Sequence, residues 1–454
     1  MNKVIGITLI LLATAMCATA QNERDAFRYS QYLPAGSARY TSLSGSMGAF
    51  GSDFSCLSAG NPAGLGLFKR FEFSFSPVQI YNKNVSTYNG EQRKGTDYPF
   101  NLNNIGVVFV FTPNPSTKWK AVQFGTGMNN LARYRNTTVA MGSNEGMTNY
   151  LQFNDIYSVP EDIDLDQQFI KKESGYLNEY VFSFGGNYND KLFLGATIGI
   201  PFFDYRQDIN YTESSNPFYD SLICSENFIS KATGINLKLG IIYQPLDFLR
   251  VGAAFHTPTK YPRVKETYTS SIDVWLPVDS TRDLYVDENG IFNYGLRTPY
   301  RATANVAFIY KNHGFINLDY EYADYSTSEL ESNTYDFKNE NKNIKTYYTG
   351  THTFRIGGEL NLSPVVFRVG GSYSTNPYKN ANINGSVKDG SLYTVSGGIG
   401  YKAKIFFADF AYMYRFSQDK DVFYNHESLN PYASRITSQY FVLTLGWKLR
   451  IDVK

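Results

Sequence analysis

The sequence lacks the residues and segments on which several common protein classes depend. Its 454 residues include only 3 cysteines and 4 histidines, too few for a disulfide scaffold, and no histidine pair has metal-ligand spacing. Excess charge is also missing, because 42 basic residues face 41 acidic ones, so nothing favours nucleic acid as a partner. Beyond the N-terminus, no apolar run approaches the length of a membrane helix. We therefore expect no metal, no other cofactor and no nucleic acid.

The first twenty residues have the three zones of a secretory signal peptide. Lys3 supplies the positive charge, Val4 to Ala13 is apolar, and Ala18 to Ala20 is a small-x-small cleavage site. The apolar stretch is too short to cross a bilayer as a helix. The sequence therefore predicts export, with residues 1–20 removed and Gln21 at the new N-terminus.

Aromatic residues are abundant and lie in alternating segments. Tyr and Phe number 37 and 34, yet the mean hydropathy is −0.32. Between Ile235 and Tyr243 every second residue is apolar, and the same period recurs between Phe441 and Leu449. Period two indicates strands with one apolar and one polar face. A secreted β-sandwich and a membrane barrel both contain such strands.

The lengths of the connections distinguish these two architectures. Fourteen strands are predicted, at residues 71–80, 104–112, 120–130, 179–188, 191–200, 233–243, 248–257, 300–310, 314–323, 351–361, 365–374, 392–402, 405–416 and 437–449. The connections alternate between short turns and long loops, as they do in outer-membrane barrels. We therefore predict an all-β fold, with a transmembrane antiparallel β-barrel over residues 71–454, in the outer membrane of a Gram-negative bacterium.

Residues 21–70 do not alternate and are rich in glycine, serine and alanine. Such a chain cannot lie in lipid, because its backbone groups would lack hydrogen-bond partners there. Apolar residues such as Tyr40, Leu43, Phe54 and Leu65 are anchors that a disordered tail usually lacks. We predict that residues 21–70 form a hatch, or plug, in the barrel lumen; a flexible periplasmic tail is the alternative.

Three short motifs in this segment resemble the N-terminal hatch of FadL-type long-chain fatty-acid transporters, a family that includes the TodX-type aromatic-hydrocarbon channels. The motifs are Gly36-Ser37-Ala38-Arg39, Met47-Gly48-Ala49 and Asn61-Pro62-Ala63-Gly64-Leu65. The resemblance implies a fourteen-strand barrel with a hatch whose motif residues are Gly36, Arg39, Gly48, Asn61, Pro62, Ala63 and Gly64. It also implies passive uptake of hydrophobic small molecules, such as long-chain fatty acids or similar amphiphiles, without enzymatic activity.

Two further features permit a functional and a structural interpretation. Gly125 and Gly127 lie in the third predicted strand, where the family has a kink that opens the wall; alternatively, the hatch packs closely there. Arg355 and Arg368 lie on the predicted lumen face. They either contact the charged head group of a ligand or form ion pairs with neighbouring strands that fix the hatch.

The partners expected are a hydrophobic ligand and outer-membrane lipid. A second function remains open, because FadL-like barrels also occur in protein secretion and surface attachment. The long loops at 131–178, 258–299 and 324–350 suit contacts with a secreted or surface protein as well as ligand capture. No catalytic residue is predicted, since nothing near His256 marks a partner for it.

Overall fold

The computed structural model describes residues 22–33, 36–114, 116–147, 163–214, 220–275, 282–379, 382–383, 386–423 and 430–449. The predicted signal peptide, residues 1–20, lies outside this part of the chain. Within the described ranges, none of the helices is both long and apolar enough to cross a membrane.

Fourteen antiparallel strands form a closed ring. They are β1 (Phe71–Tyr88), β2 (Phe100–Phe111), β3 (Trp119–Arg133), β4 (Ile163–Tyr188), β5 (Leu192–Ser214), β6 (Asn236–Leu246), β7 (Leu249–His256), β8 (Arg301–Tyr310), β9 (Gly314–Asp324), β10 (Gly350–Leu362), β11 (Val365–Ser374), β12 (Leu392–Lys402), β13 (Phe406–Asp421) and β14 (Tyr432–Leu449). Each pairs with the next, and β14 pairs with β1 from Leu449 opposite Phe71 to Ala433 opposite Thr87. The predicted fourteen-strand barrel is confirmed.

The two faces of the wall differ in polarity. On β6, Leu237 and Leu239 are 39% and 49% exposed on the outside, whereas Lys238 between them is fully buried on the inside. Such a continuous apolar surface belongs against lipid, because soluble proteins expose only small apolar patches. The short connections all lie at one end of the barrel, here called the lower end, and the long connections lie at the upper end.

The predicted long loops contain much regular structure, which corrects the sequence analysis. β4 and β5 reach 26 and 23 residues and continue above the apolar band. Further strands are Glu91–Asp97, Asn136–Met147, Ser221–Thr233, Lys260–Trp275, Arg282–Arg297, Glu329–Glu331, Asn382–Ile383 and Ser386–Val387. Above the band neither face meets lipid, so alternation weakens while backbone pairing continues. In the described residues, a 3₁₀ helix (Tyr325–Thr327) and an α-helix (Lys338–Tyr347) also belong to this upper extension.

The N-terminal segment, residues 22–33 and 36–68, contains short helices. They are α1 (Asn22–Arg28), α2 (Ala38–Ser42), α3 (Cys56–Ala59) and a 3₁₀ helix (Pro62–Leu67). The segment hydrogen-bonds to inward side chains from opposite parts of the ring, including Thr444 on β14 and Asp319 on β9. It therefore lies within the ring of strands. Cys56 and Cys224 are both buried, and they do not form a disulfide with each other.

Candidate functional site

Side-chain caps fold the first half of the N-terminal segment locally. The Ser37 hydroxyl accepts a hydrogen bond from the Tyr40 N–H at 3.0 Å, which caps α2, and donates to Asp53 at 2.6 Å. Asp53 in turn accepts from the Ser55 N–H at 2.9 Å. Gly36 stands where an added Cβ would lie 2.5 Å from the Ser55 hydroxyl oxygen. These local bonds help to define the shape of this part of the segment.

Asn61 connects the segment to the wall and also caps its 3₁₀ helix. The Asn61 side-chain oxygen accepts from the Ala63 N–H at 3.0 Å, and Pro62 occupies the first helical position, where no N–H is needed. The Asn61 amide nitrogen lies 3.1 and 3.2 Å from the carbonyl oxygens of Ile241 and Ala253. One buried side chain therefore joins the segment to β6 and β7.

Gly64 closes a compact turn behind this helix. Its carbonyl oxygen accepts from the Ser52 N–H at 3.1 Å, and its backbone packs against Gly51. Gly51 has a φ of +63°, a conformation that side chains disfavour. The two glycines permit a backbone approach that larger residues would prevent.

Gly48 lies at a second contact with the wall. Its N–H donates to the Asp319 carboxylate at 3.0 Å, and a Cβ there would lie 2.1 Å from the Asn305 amide nitrogen. The same carboxylate accepts from Asn305 at 2.8 Å and from Asn317 at 2.9 Å. Asp319 is thus hydrogen-bonded by the segment and by two neighbouring side chains of the wall.

Two groups of ion pairs surround the segment. In the first, Glu359 lies 3.0 Å from Arg39 and 2.8 Å from Arg368, and Arg368 also lies 2.6 Å from Asp409. In the second, Glu321 lies 2.7 Å from Arg301 and 3.0 Å from Arg355. The guanidinium groups of Arg355 and Arg368 are therefore matched by wall carboxylates. This arrangement corresponds to the structural interpretation of these two arginines.

Glycines on the inner face of the wall let the segment approach the strand backbones. At these positions an added Cβ would lie within 3.2 Å of an N-terminal-segment atom: Gly106, Gly125, Gly127, Gly185, Gly195, Gly240, Gly252, Gly357, Gly370 and Gly398. At Gly125 the nearest atoms belong to Leu57 and Leu65, and at Gly127 a Cβ would lie 2.7 Å from the Phe54 ring. Both glycines thus lie where the segment packs closely.

Pairing through this part of β3 is continuous. Gly125 to Asn129 pair in register with Val108 to Asn104 on β2 and with Ser183 to Glu179 on β4. The register of β3 against β4 shifts only near Trp119 and near Leu131. The described conformation therefore has no gap in the wall at Gly125 or Gly127.

The substitution Gly240→Val tests this close approach. A Cβ at Gly240 would lie 2.1 Å from the Asn61 side-chain oxygen, so we expect a loss of about 1–3 kcal/mol of unfolding free energy through overpacking. The loss of unfolding free energy is measured from the midpoint of urea unfolding, with heat-modifiable gel mobility as the readout of the folded barrel. Gly358→Val is the matched control, because its nearest atom would be 3.8 Å away. Equal shifts in both variants would contradict the assignment.

A cluster of buried aromatic residues, here called the aromatic chamber, lies in the upper half of the lumen, above residues 36–68. The Tyr29 ring stacks on Phe203 with centroids 3.9 Å apart, and Phe27 stacks on Tyr348 at 5.0 Å. The chamber walls include Leu131, Leu177, Phe203, Tyr205, Phe228, Tyr261, Tyr294, Tyr325 and Tyr348. Phe27 of α1 and Tyr29, just after the helix, therefore pack against side chains from many separate strands and loops.

Three tyrosine hydroxyls in this region are buried without a hydrogen-bond partner among the described residues. They belong to Tyr29, Tyr134 and Tyr261. A buried hydroxyl without a partner is costly, and most such groups in proteins are paired. The chamber thus combines a large apolar surface with a few buried hydroxyl groups.

Charged groups line the upper part of the chamber. The Arg28 guanidinium pairs with Asp25 and lies 4.2 Å from the Tyr205 ring centroid. Burial raises the pKa of the Asp25 carboxyl to about 6, although Arg28 opposes the shift. Burial, and then the nearby Asp25, raise the pKa of Glu266 in the upper extension to about 8.

His256 makes a structural contact in the described residues. Its Nε2 lies 2.8 Å from the Gly60 carbonyl oxygen, at the end of α3. Among the described residues, no three or more His, Cys, Asp or Glu side chains are grouped to hold a metal ion. The arrangement around His256 joins β7 to the N-terminal segment.

The sequence analysis missed the chamber and all of the inner glycines except Gly125 and Gly127. Chamber residues come from positions between 27 and 348, so no local pattern marks them. The glycines do leave a signal, because the predicted strands contain the pairs Gly357-Gly358, Gly370-Gly371 and Gly397-Gly398. Of two consecutive strand residues one must face inward, so each pair supplies one glycine to the lumen.

Solved structures with this architecture cover nearly the whole chain. A FadL homologue of Pseudomonas aeruginosa matches with a TM-score of 0.59 and 14% identity, over 92% of this chain and 99% of that one. The toluene transporter TodX of P. putida matches with a TM-score of 0.57 and 12% identity, over 93% and 100%. The toluene transporter TbuX of Ralstonia pickettii matches with a TM-score of 0.53 and 16% identity, over 93% and 100%.

No protein-family model and no curated protein matches the sequence. The likeness to solved structures therefore concerns the fold, since the identities are between 12% and 16%. These neighbours are described as transporters or as a FadL homologue. The chain has the closed fourteen-strand barrel fold of FadL-type and toluene-transporter proteins.

Proposed function

We propose that the chain is a passive transporter of the Gram-negative outer membrane that takes up hydrophobic small molecules, such as long-chain fatty acids or similar amphiphiles. The observation that supports it most directly is the aromatic chamber, where Phe203 and Tyr261 lie beside unpaired tyrosine hydroxyls. A set of side chains of this kind suits a molecule with a large apolar body and a few polar atoms. No enzymatic role and no cofactor are assigned.

Helix α1 occupies the position that we assign to the ligand. Phe27 and Tyr29 fill the chamber with aromatic rings, and Arg24 holds the helix to Asp421 at 3.1 Å across a partly exposed ion pair. An exposed ion pair contributes little stability. A ligand that displaces these two rings therefore exchanges one set of apolar contacts for another, at a small net cost.

The rest of the N-terminal segment acts as the hatch below the ligand. In this proposal Gly36, Arg39, Gly48 and Asn61 to Gly64 hold it closed through the contacts described above. Arg355 and Arg368 support that closed state, because their guanidinium groups already pair with wall carboxylates. Continuous pairing at Gly125 and Gly127 favours release by movement of the hatch over release through the wall.

Ligand binding tests the proposal. We expect purified protein to bind radiolabelled oleate, and Phe203→Ala to weaken binding by at least about tenfold through lost apolar contact. Tyr261→Phe removes only a hydroxyl group, so the loss of oleate affinity should be smaller, about fivefold. Equilibrium dialysis in detergent measures the affinities.

Phe354→Ala is the matched control, because Phe354 is 52% exposed on the outside of the wall. Oleate affinity that falls equally in the control would show binding to the lipid-facing surface. Absence of oleate binding, together with co-purification of a secreted or surface protein, would instead favour the second function, a protein-binding platform.

A further inference from the structure

The outer surface of the barrel carries a group of basic residues just above the apolar band. Lys83 on β1, Lys420 on β13 and Arg435 on β14 line one groove of about 630 Å³. Lys94 stands directly opposite Val85, which also lines the groove. Since directly opposed residues share a face of the sheet, all four side chains belong to the outer surface.

Strand registers place these cations close together. Arg435 is opposite Val85 on one side, and Lys94 is opposite the same residue on the other. Lys83 is two positions from Val85 along β1, and Lys420 is opposite Ala433, two positions from Arg435. Neighbours of this kind lie about 5–8 Å apart. The four residues therefore form one continuous patch, here called the basic patch.

The cations of the basic patch lack the ion pairs that other outward-facing basic side chains form. None of its four cations forms an ion pair with a described residue, whereas Arg206 and Lys231 both pair with Asp204, at 3.2 and 2.7 Å. Two carboxylates also line the groove. Asp419 is paired with Lys388 at 3.1 Å, and Asp389 accepts from the Ser391 N–H at 2.9 Å. The patch therefore keeps a net positive charge.

The height of the basic patch corresponds to a lipid headgroup region. Tyr81 lies ten positions above Phe71, the lower end of β1, which is about 25 Å along the barrel axis for a tilted strand. Tyr81 and Tyr414 line the lower part of the groove, as aromatic residues do at the edge of an apolar band. The cations begin at the next outward position, where lipid phosphates are found.

We propose that the basic patch binds the phosphate groups of an outer-leaflet glycolipid whose disaccharide headgroup is phosphorylated. Arginine and lysine form charge-assisted hydrogen bonds with phosphate oxygens, and their aliphatic stems can lie along the apolar wall. The acyl chains of the same lipid lie against the outward rings below, among them Tyr412 and Phe441, which are 37% exposed. This inference rests on the membrane location proposed above.

Titration with lipid A tests the proposal by native mass spectrometry of the full chain in detergent. The basic-patch variant combines four substitutions: Lys83→Gln, Lys94→Gln, Lys420→Gln and Arg435→Gln. We expect it to bind lipid A at least about tenfold more weakly than wild type. The control variant Arg206→Gln, Lys231→Gln and Arg297→Gln removes paired outward cations and should change binding by less than about twofold.

Lipid A stripped of its phosphates should bind wild type and the basic-patch variant equally weakly. Unchanged lipid A affinity in that variant, or equal affinity of wild type for both lipids, would overturn the proposal. Oleate binding is measured on the same variants and should stay at the wild-type value. Failure of the glycolipid site is thereby distinguished from failure of the transport function.

Discussion

Removal of residues 22–68 is expected to turn a closed barrel into an open channel, raising single-channel conductance by at least about tenfold. All fourteen wall strands begin at or after Phe71, so the deletion leaves the ring intact. Water can then solvate the polar inner side chains, because backbone and polar groups at membrane depth are tolerated where they line a water-filled cavity. Planar-bilayer recordings and sensitivity of cells to bulky antibiotics measure the effect.

A shorter deletion is the matched control. Removing residues 22–33 takes away α1 but keeps the contacts that Arg39, Gly48 and Asn61 make with the wall, so conductance should stay low. Heat-modifiable gel mobility establishes that each variant is a folded barrel. A folded 22–68 deletion with wild-type conductance would show that the wall, and not the N-terminal segment, closes the lumen.

The substitution Arg368→Met is expected to cost about 3–5 kcal/mol of unfolding free energy. Arg368 is 4% exposed, and its guanidinium lies 2.8 Å from Glu359 and 2.6 Å from Asp409. Glu359 keeps Arg39 and Lys402, each at 3.0 Å, but Asp409 has no second ion pair among the described residues. An unpaired buried carboxylate would therefore remain. Urea unfolding in lipid vesicles measures the loss.

Two further variants separate charge from packing at this site. Arg368→Met combined with Asp409→Asn should recover more than half of the loss, because the buried charge is removed with its partner. Arg206→Met breaks an exposed pair with Asp204 and should cost less than about 1 kcal/mol. Wild-type stability of the single variant, or no recovery in the double variant, would contradict this account.

The fourteen strands could be predicted because alternation is a local property. A segment such as Ile235 to Tyr243 must separate its two faces wherever it is placed, and the exposed Leu237 and Ile241 and the buried Lys238 agree with that separation. The upper extension could not be predicted in the same way. Strands such as Lys260–Trp275 meet no lipid, so their sequence has no continuous apolar face.

The pairing of inner charges could be predicted only in part. Glu359 and Arg368 flank one tight turn, so their juxtaposition follows from the hairpin. Asp409 joins them from 41 positions away, through the register of two further strand pairs. Arg39 joins from the N-terminal segment, 320 positions away. Long-range partners of this kind depend on ring closure and not on neighbouring sequence.

The sequence by itself determined the class of fold, the number of wall strands and the faces of those strands, because backbone periodicity and turn residues act over a few positions. The tertiary structure decided the rest. It set Gly127 against Phe54, placed Phe27 of α1 and the neighbouring Tyr29 in the aromatic chamber, and brought Lys83, Lys94, Lys420 and Arg435 together on the outer surface. These contacts join residues that are distant in the chain, so only closure of the barrel around the N-terminal segment specifies them.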